Sequence, residues 1–113
     1  MDARYVQRGD AIDHTPMGDI PAGELLCLGK LVCVAKLDMK ADKLGAFALT
    51  GVYELPKAPG VALAQGEIVG WNAATKKAYS ADAPSTVKIG HAVATAAASD
   101  ATVLVRLCQG LNR

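Results

Sequence analysis

The sequence predicts an all-β fold, a small barrel or sandwich, and three observations carry that reading. Apolar residues alternate with polar or small ones, most clearly where Phe47, Leu49, Gly51, Tyr53 and Leu55 share one side and Ala48, Thr50, Val52 and Glu54 the other. Turns rich in Gly, Pro and Asp interrupt the apolar runs at short intervals. No segment sustains a 3.6-residue apolar period. The sum is about seven to nine short strands, with at most one helical turn near Val61–Gln65.

Taken in order, Arg4–Gln7 reads as a short strand, followed by the turn Arg8-Gly9-Asp10. Ala11–Thr15 resumes an extended pattern that Pro16 stops, and Gly18-Asp19 and Pro21-Ala22-Gly23 mark a loop. Leu25–Leu28 and Leu31–Leu37 are apolar runs on either side of Gly29-Lys30. That pair serves either as a two-residue hairpin turn, with glycine first, or as a bulge in one long strand. Asp38–Leu44 is a polar, lysine-bearing connection, and Gly45 opens the alternating strand through Leu55. Pro56 ends it, since proline lacks the ladder donor.

The loop Lys57–Gln65 follows, and Gly66–Asn72 forms a strand holding the only tryptophan, Trp71. After a polar interval through Lys77 come the short strand Ala78–Ser80 and the loop Ala81–Ser85. Val87–Ala94 and Thr102–Cys108 alternate, and the alanine-rich Ala94–Asp100 between them is too short for a stable helix. It reads as a turn joining two antiparallel strands.

The 113 residues make one domain, residues 1–113, with a short flexible segment 1–7 and a polar tail 109–113. Such a chain buries roughly two-thirds of its unfolded surface and needs no disulfide or metal to fold. The net charge of +1 gives no bias toward nucleic acid or membrane. No apolar run approaches a membrane span, and Met1–Gln7 lacks the apolar core of a signal peptide, so synthesis and residence in a cytoplasm-like compartment are expected. Cys27, Cys33 and Cys108 lack metal-site spacing and sit among Leu and Val, as buried reduced thiols do. With 4% aromatic residues, the chain has either a thin core or an apolar outer face, which favours self-association.

Catalytic patterns fail. Gly23-Glu-Leu-Leu-Cys-Leu-Gly29-Lys30-Leu31 has one residue too many for a phosphate-binding loop, and Leu31 offers no hydroxyl. No Gly-x-Ser-x-Gly elbow is present. His14 and His91 could join Asp10 or Asp13 at a metal, but no ligand spacing supports this, and no cofactor is expected. Lys57, Lys76 and Lys77 are isolated cations without aromatic neighbours suited to stacking bases. Asp38-Met-Lys-Ala-Asp42 is similar to the lysine hairpin of lipoyl or biotinyl carriers. Lys40 on such a hairpin, in a carrier or small-molecule-binding barrel, is the alternative function, and mass spectrometry for an attached group checks it.

An ordered series of motifs resembles a family. Tyr5-Val-Gln-x-Gly-Asp10, Leu31-Val-Cys-Val-Ala35, Gly51-Val-Tyr-Glu-Leu-Pro-Lys57 and Gly66-Glu-x-Val-x-Trp-Asn72 come in sequence, and Ile89-Gly-His-Ala-Val93 and Val103-Leu-Val-Arg-Leu107 close it. Together they resemble the capsid cement, or head decoration, proteins of tailed bacteriophages and prophages. His91 stands where a small or apolar residue is expected, and Gly70 where an aromatic is. The resemblance implies a non-enzymatic virion protein on the outer surface of the head. It would be a homotrimer that bridges major capsid protein subunits. Interface candidates are Arg4, Tyr5, Val6, Tyr53, Trp71 and Tyr79, because exposed Tyr, Trp and Arg make the strongest anchors. For Tyr53 and Trp71 the strand positions favour the protomer core instead.

Overall fold

The computed structural model describes residues 3–111, so Met1, Asp2, Asn112 and Arg113 lie outside it. Nine strands and no helix form among the described residues: β1 Ala11–His14, β2 Leu25–Leu28, β3 Leu31–Ala35, β4 Gly45–Ala48, β5 Val52–Pro56, β6 Ile68–Asn72, β7 Lys77–Ser80, β8 Val87–Ala92 and β9 Thr102–Leu107. They build two antiparallel sheets, β1-β4-β3-β2 and β5-β9-β8-β6-β7. The all-β expectation holds, as does the hairpin at Gly29-Lys30: Leu28 faces Leu31, and Gly29 takes φ 63° at the first turn position.

The alternating run 45–55 is not one strand. Phe47, Leu49 and Leu55 of its apolar side are buried, but Phe47 and Leu49 lie in a different cluster from Leu55, and Ala48 of the other side is buried as well. Yet β4 belongs to the first sheet and β5 to the second. Gly51 makes the crossing possible, with φ 120° and the Tyr53 ring lying over it, where a Cβ would stand 3.1 Å from the ring. Alternation marks extended chain, not which sheet it belongs to.

The crossing leaves a gap in the first sheet. Pairing of β3 with β4 is restricted to Val34–Ala48 and Ala35–Phe47, so the backbone of Val32 has no strand beside it there. Gln109 fills the gap. Its side-chain amide accepts from Val32 N at 2.9 Å and donates to Val32 O at 2.6 Å and Leu49 O at 3.1 Å. Leu107 N bonds Gly51 O at 3.0 Å close by. The segment expected to be a polar tail therefore begins with a structural side chain.

The main core lies between the sheets, with Leu25, Val32 and Val34 from the first and Leu55, Val69, Trp71, Ile89, Val103, Val105 and Leu107 from the second. A second cluster, Cys33, Ala35, Met39, Phe47 and Leu49, occupies the opposite face of the four-stranded sheet. That sheet is thus apolar on both faces. Its outer cluster is roofed by two loops that bridge at Ile20 and Met39 and are pinned where Asp38 and Asp19 carboxylates accept from Ala22 N and Ala41 N.

Three further expectations are corrected. Arg4–Gln7 is not a strand, because nothing pairs with it in the described structure. Val61–Gln65 makes no helical turn; Leu63 instead exchanges backbone hydrogen bonds with Ala96, which aligns the loop with the β8–β9 connection. Lys57 is not a surface cation. It is 2% exposed, and Nζ donates to the carbonyls of Val61, Ala58 and Ala98 at 2.5, 3.1 and 3.3 Å. Three acceptors match the three ammonium donors, which offsets the cost of burying the charge. Beside it Lys57 bridges Ala78, so the outer strands β5 and β7 of the second sheet meet.

A bulge in β8 explains His91. Val69 faces Gly90 while Gly70 faces Lys88, so Ile89 is the extra residue and the inward parity passes from Ile89 to Ala92. His91 is left half-buried opposite Arg106. Gly90 is required here, since a Cβ would fall 2.0 Å from Arg106 O.

Gln109→Ala is expected to cost about 1–3 kcal/mol in urea unfolding, because part-buried backbone groups lose their partners. Gln109→Glu is expected to be worse than Ala, as a carboxylate cannot donate to the carbonyls of Val32 and Leu49. Equal stability for all three proteins would contradict the role given to this side chain.

Candidate docking surface

His14 packs edge-on against Phe47 in the first sheet, with ring centroids 5.6 Å apart, while His91 lies in the second. No three His, Cys, Asp or Glu side chains among the described residues come together as a metal-holding group. Lys40 is exposed on the β3–β4 connection, whose turn is closed by Lys43 N bonding Lys40 O. Lys76, exposed, pairs with Glu24 at 3.1 Å.

The six interface candidates divide into two groups. Arg4, Tyr5 and Val6 form an extended arm with little burial; Tyr5 is 80% and Val6 81% exposed. The arm joins the fold at Asp10, whose carbonyl accepts from Leu49 N, and Arg8 pairs with Asp10 at 2.7 Å. Tyr53, Trp71 and Tyr79 belong to strands. Tyr53 is half-buried and its hydroxyl donates to Thr50 O; the Tyr79 hydroxyl lies 3.3 Å from Thr75 Oγ1. Trp71, 6% exposed, is part of the main core.

Trp71 also forms the floor of a cleft of about 330 Å³ at one end of the molecule. Pro21–Leu25 make one wall, leading into β2, and Glu54–Pro56 at the end of β5 make the other. The lining is mainly apolar, with carboxylates of Glu24 and Glu54 at its rim. Sequence reasoning named Trp71 but missed this cleft, because its walls come from loops distant in the chain. Other exposed large apolar side chains are Met17, Leu37 and Leu44 on the two connections that roof the outer sheet face, and Val52 and Leu104 on β5 and β9.

The cysteines carry no reactive signature. Cys33 is buried, and burial pushes its thiol up to about 11, with a smaller contribution from Cys27. Burial raises the Cys27 thiol as well. Neither has the depressed pKa of a nucleophile.

Comparison with known families assigns the chain to one of them. The family model described as phage cement protein matches residues 6–107, nearly the whole chain. The chain belongs to the phage cement protein family. Cement proteins are a structural, non-catalytic and capsid-associated kind of protein. No curated protein and no solved structure matches the chain.

Cys33 should resist alkylation in the folded cement protein and react once it unfolds; labelling as fast as a free thiol would contradict its placement. Its raised folded pKa also sets a pH dependence. Above the ordinary thiol value of 9.0 the unfolded chain loses its proton first, so stability is full below pH 9 and falls as pH rises toward 11. Unfolding midpoints measured between pH 8 and 11, with Cys33→Ala as control, would show it.

Proposed function

We propose that this cement protein binds the outer surface of the expanded phage head as a homotrimer and stabilises it by bridging major capsid subunits. The observation that carries the proposal is the family match across residues 6–107. The physical mechanism is linkage: a ligand that binds the expanded shell but not its precursor stabilises the expanded form. Many copies acting across subunit junctions add a multivalent term.

The surface suits this work. Net charge is close to neutral, so docking does not rest on a bulk field. Contact is left to the exposed apolar side chains of the arm and of the roofing loops, Tyr5, Val6, Met17, Leu37 and Leu44. The arm is the part least tied to the domain, and an extended terminal segment can order on a partner.

Co-sedimentation with expanded and unexpanded heads of the cognate phage tests the proposal. The full chain should pellet with expanded heads and remain free of unexpanded ones. Deletion of residues 1–7 should weaken attachment at least tenfold while the unfolding midpoint stays within about 0.5 kcal/mol of the parent. Equal binding to both heads, or to neither, would contradict the mechanism.

A further inference from the structure

The four-stranded sheet has two free edges whose backbone groups fit each other. β1 and β2 are its outer strands, and neither pairs with a further strand among the described residues. Bonds already placed show which groups point outward. Val32 turns its N–H and C=O to Gln109, away from β2, so Cys27 opposite it turns both of its groups away from β3. Leu25, two residues back, does the same. On β1 the Leu49–Asp10 bond sets the phase: Ile12 directs its groups to Phe47, while Ala11 and Asp13 direct theirs outward. Each edge therefore offers two rungs, Leu25 and Cys27 on one and Ala11 and Asp13 on the other.

Free edges are commonly guarded by lysine, proline or a bulge. β2 reads Leu-Leu-Cys-Leu and has none of these, and Leu26, Cys27 and Leu28 are only half-buried. Its side chains serve both faces of the sheet, Cys27 packing against the main core and Leu26 and Leu28 against the outer cluster. A strand that continues this sheet must be apolar or small on both faces. β1 meets that condition at its centre. Ile12 packs against the same outer cluster, and half-buried Ala11 lies on the core side, in the row of Ala48 and Val34.

We propose that β2 of one copy pairs with β1 of the next, Cys27 to Ala11 and Leu25 to Asp13, closing three four-stranded sheets into one ring. Strand directions alternate across the sheet, so β2 and an adjoining β1 run antiparallel without reversal. This register engages both rungs and sets Leu26 against Ile12 on the outer face, a cross-strand apolar pair. The occupant is a second copy because its β1 matches β2 in rungs and in both faces. Joining β2 to β1 also leaves no edge open, whereas pairing β2 with β2 would leave β1 free. The inference rests on the homotrimer of the proposed function and names the strands that make it.

The experiment uses the full chain and three changes at Ala11, the first residue of an edge strand, where proline is tolerated. Light scattering over a dilution series should find the parent trimeric. Ala11→Pro, which removes an outward N–H, and Ala11→Lys, which places a charge on the edge, should each dissociate at least tenfold more readily. Far-ultraviolet dichroism checks that both fold. Ala11→Cys would stand about 5.5 Å, Cα to Cα, from Cys27 of the next copy, within disulfide reach. Oxidised glutathione should then yield covalent trimers on a non-reducing gel, and none when Cys27→Ala is added. Leu25→Cys is the contrasting variant, since a two-fold β2–β2 pairing would set it against Cys27 and yield dimers. A monomeric parent, an association that neither Ala11→Pro nor Ala11→Lys weakens, an associated Ala11→Cys chain without links to Cys27, or linked dimers from Leu25→Cys would overturn the proposal. Head binding is scored separately. A ring that ignores heads refutes the cement mechanism and spares the edge pairing, while a monomer that binds expanded heads does the reverse.

Discussion

The chain must leave one sheet and enter another between Ala48 and Val52, and the fold depends on how the backbone left behind is satisfied. Once β4 departs, Val32 at the centre of the first sheet faces a vacancy in the hydrogen-bond ladder. The Gln109 amide presents one acceptor and one donor edge, as a strand would, and occupies it. The same side chain reaches Leu49 O, so it ties β3, the crossing and the segment after β9 into one joint. Both sheets are held in register by this joint and by the apolar layer between them. Buried backbone groups left unpaired would cost more than a typical contact returns, which is why one polar side chain outweighs many apolar ones here.

A second consequence follows from the four-stranded sheet. Antiparallel sheets commonly keep one face in water, but this one is apolar on both. One face is covered by the five-stranded sheet, and the other by loops that carry their own polar staples from Asp19 and Asp38. The abundance of small apolar residues and scarcity of aromatics is thus met by two thin clusters rather than one thick core. Lys57 follows the same economy. Its ammonium gathers three loop carbonyls, those of Ala58, Val61 and Ala98.

Much of this was legible in the sequence, and the failures share one cause. Period-two alternation located β9 with its inward Val103, Val105 and Leu107, and turn chemistry located the Gly29-Lys30 hairpin. The sheet change at Gly51 was invisible because alternation continues smoothly through it. Gln109 and Lys57 were read as solvated because their burial depends on segments far away in the chain: Val32 is 77 residues from Gln109, and Ala98, one of the three carbonyls around Lys57, is 41 from it. The β8 bulge leaves His91 half-buried, since one inserted residue inverts every parity after it. Trp71 was visible as a core residue, but the cleft above it is made by Pro21–Leu25 and Glu54–Pro56, which only the folded topology brings together. The ordered motifs from Tyr5 to Leu107 carried the family, and no single strand did.

A near-neutral two-sheet protein of the phage cement family, with an exposed arm, is suited to the proposed role of adding free energy to a shell that already exists. The most direct measurement of that claim is calorimetry of expanded heads with increasing amounts of this protein. The account predicts that the temperature of shell disruption rises with occupancy and levels off when the sites are filled. An unchanged disruption temperature on fully occupied heads would contradict it.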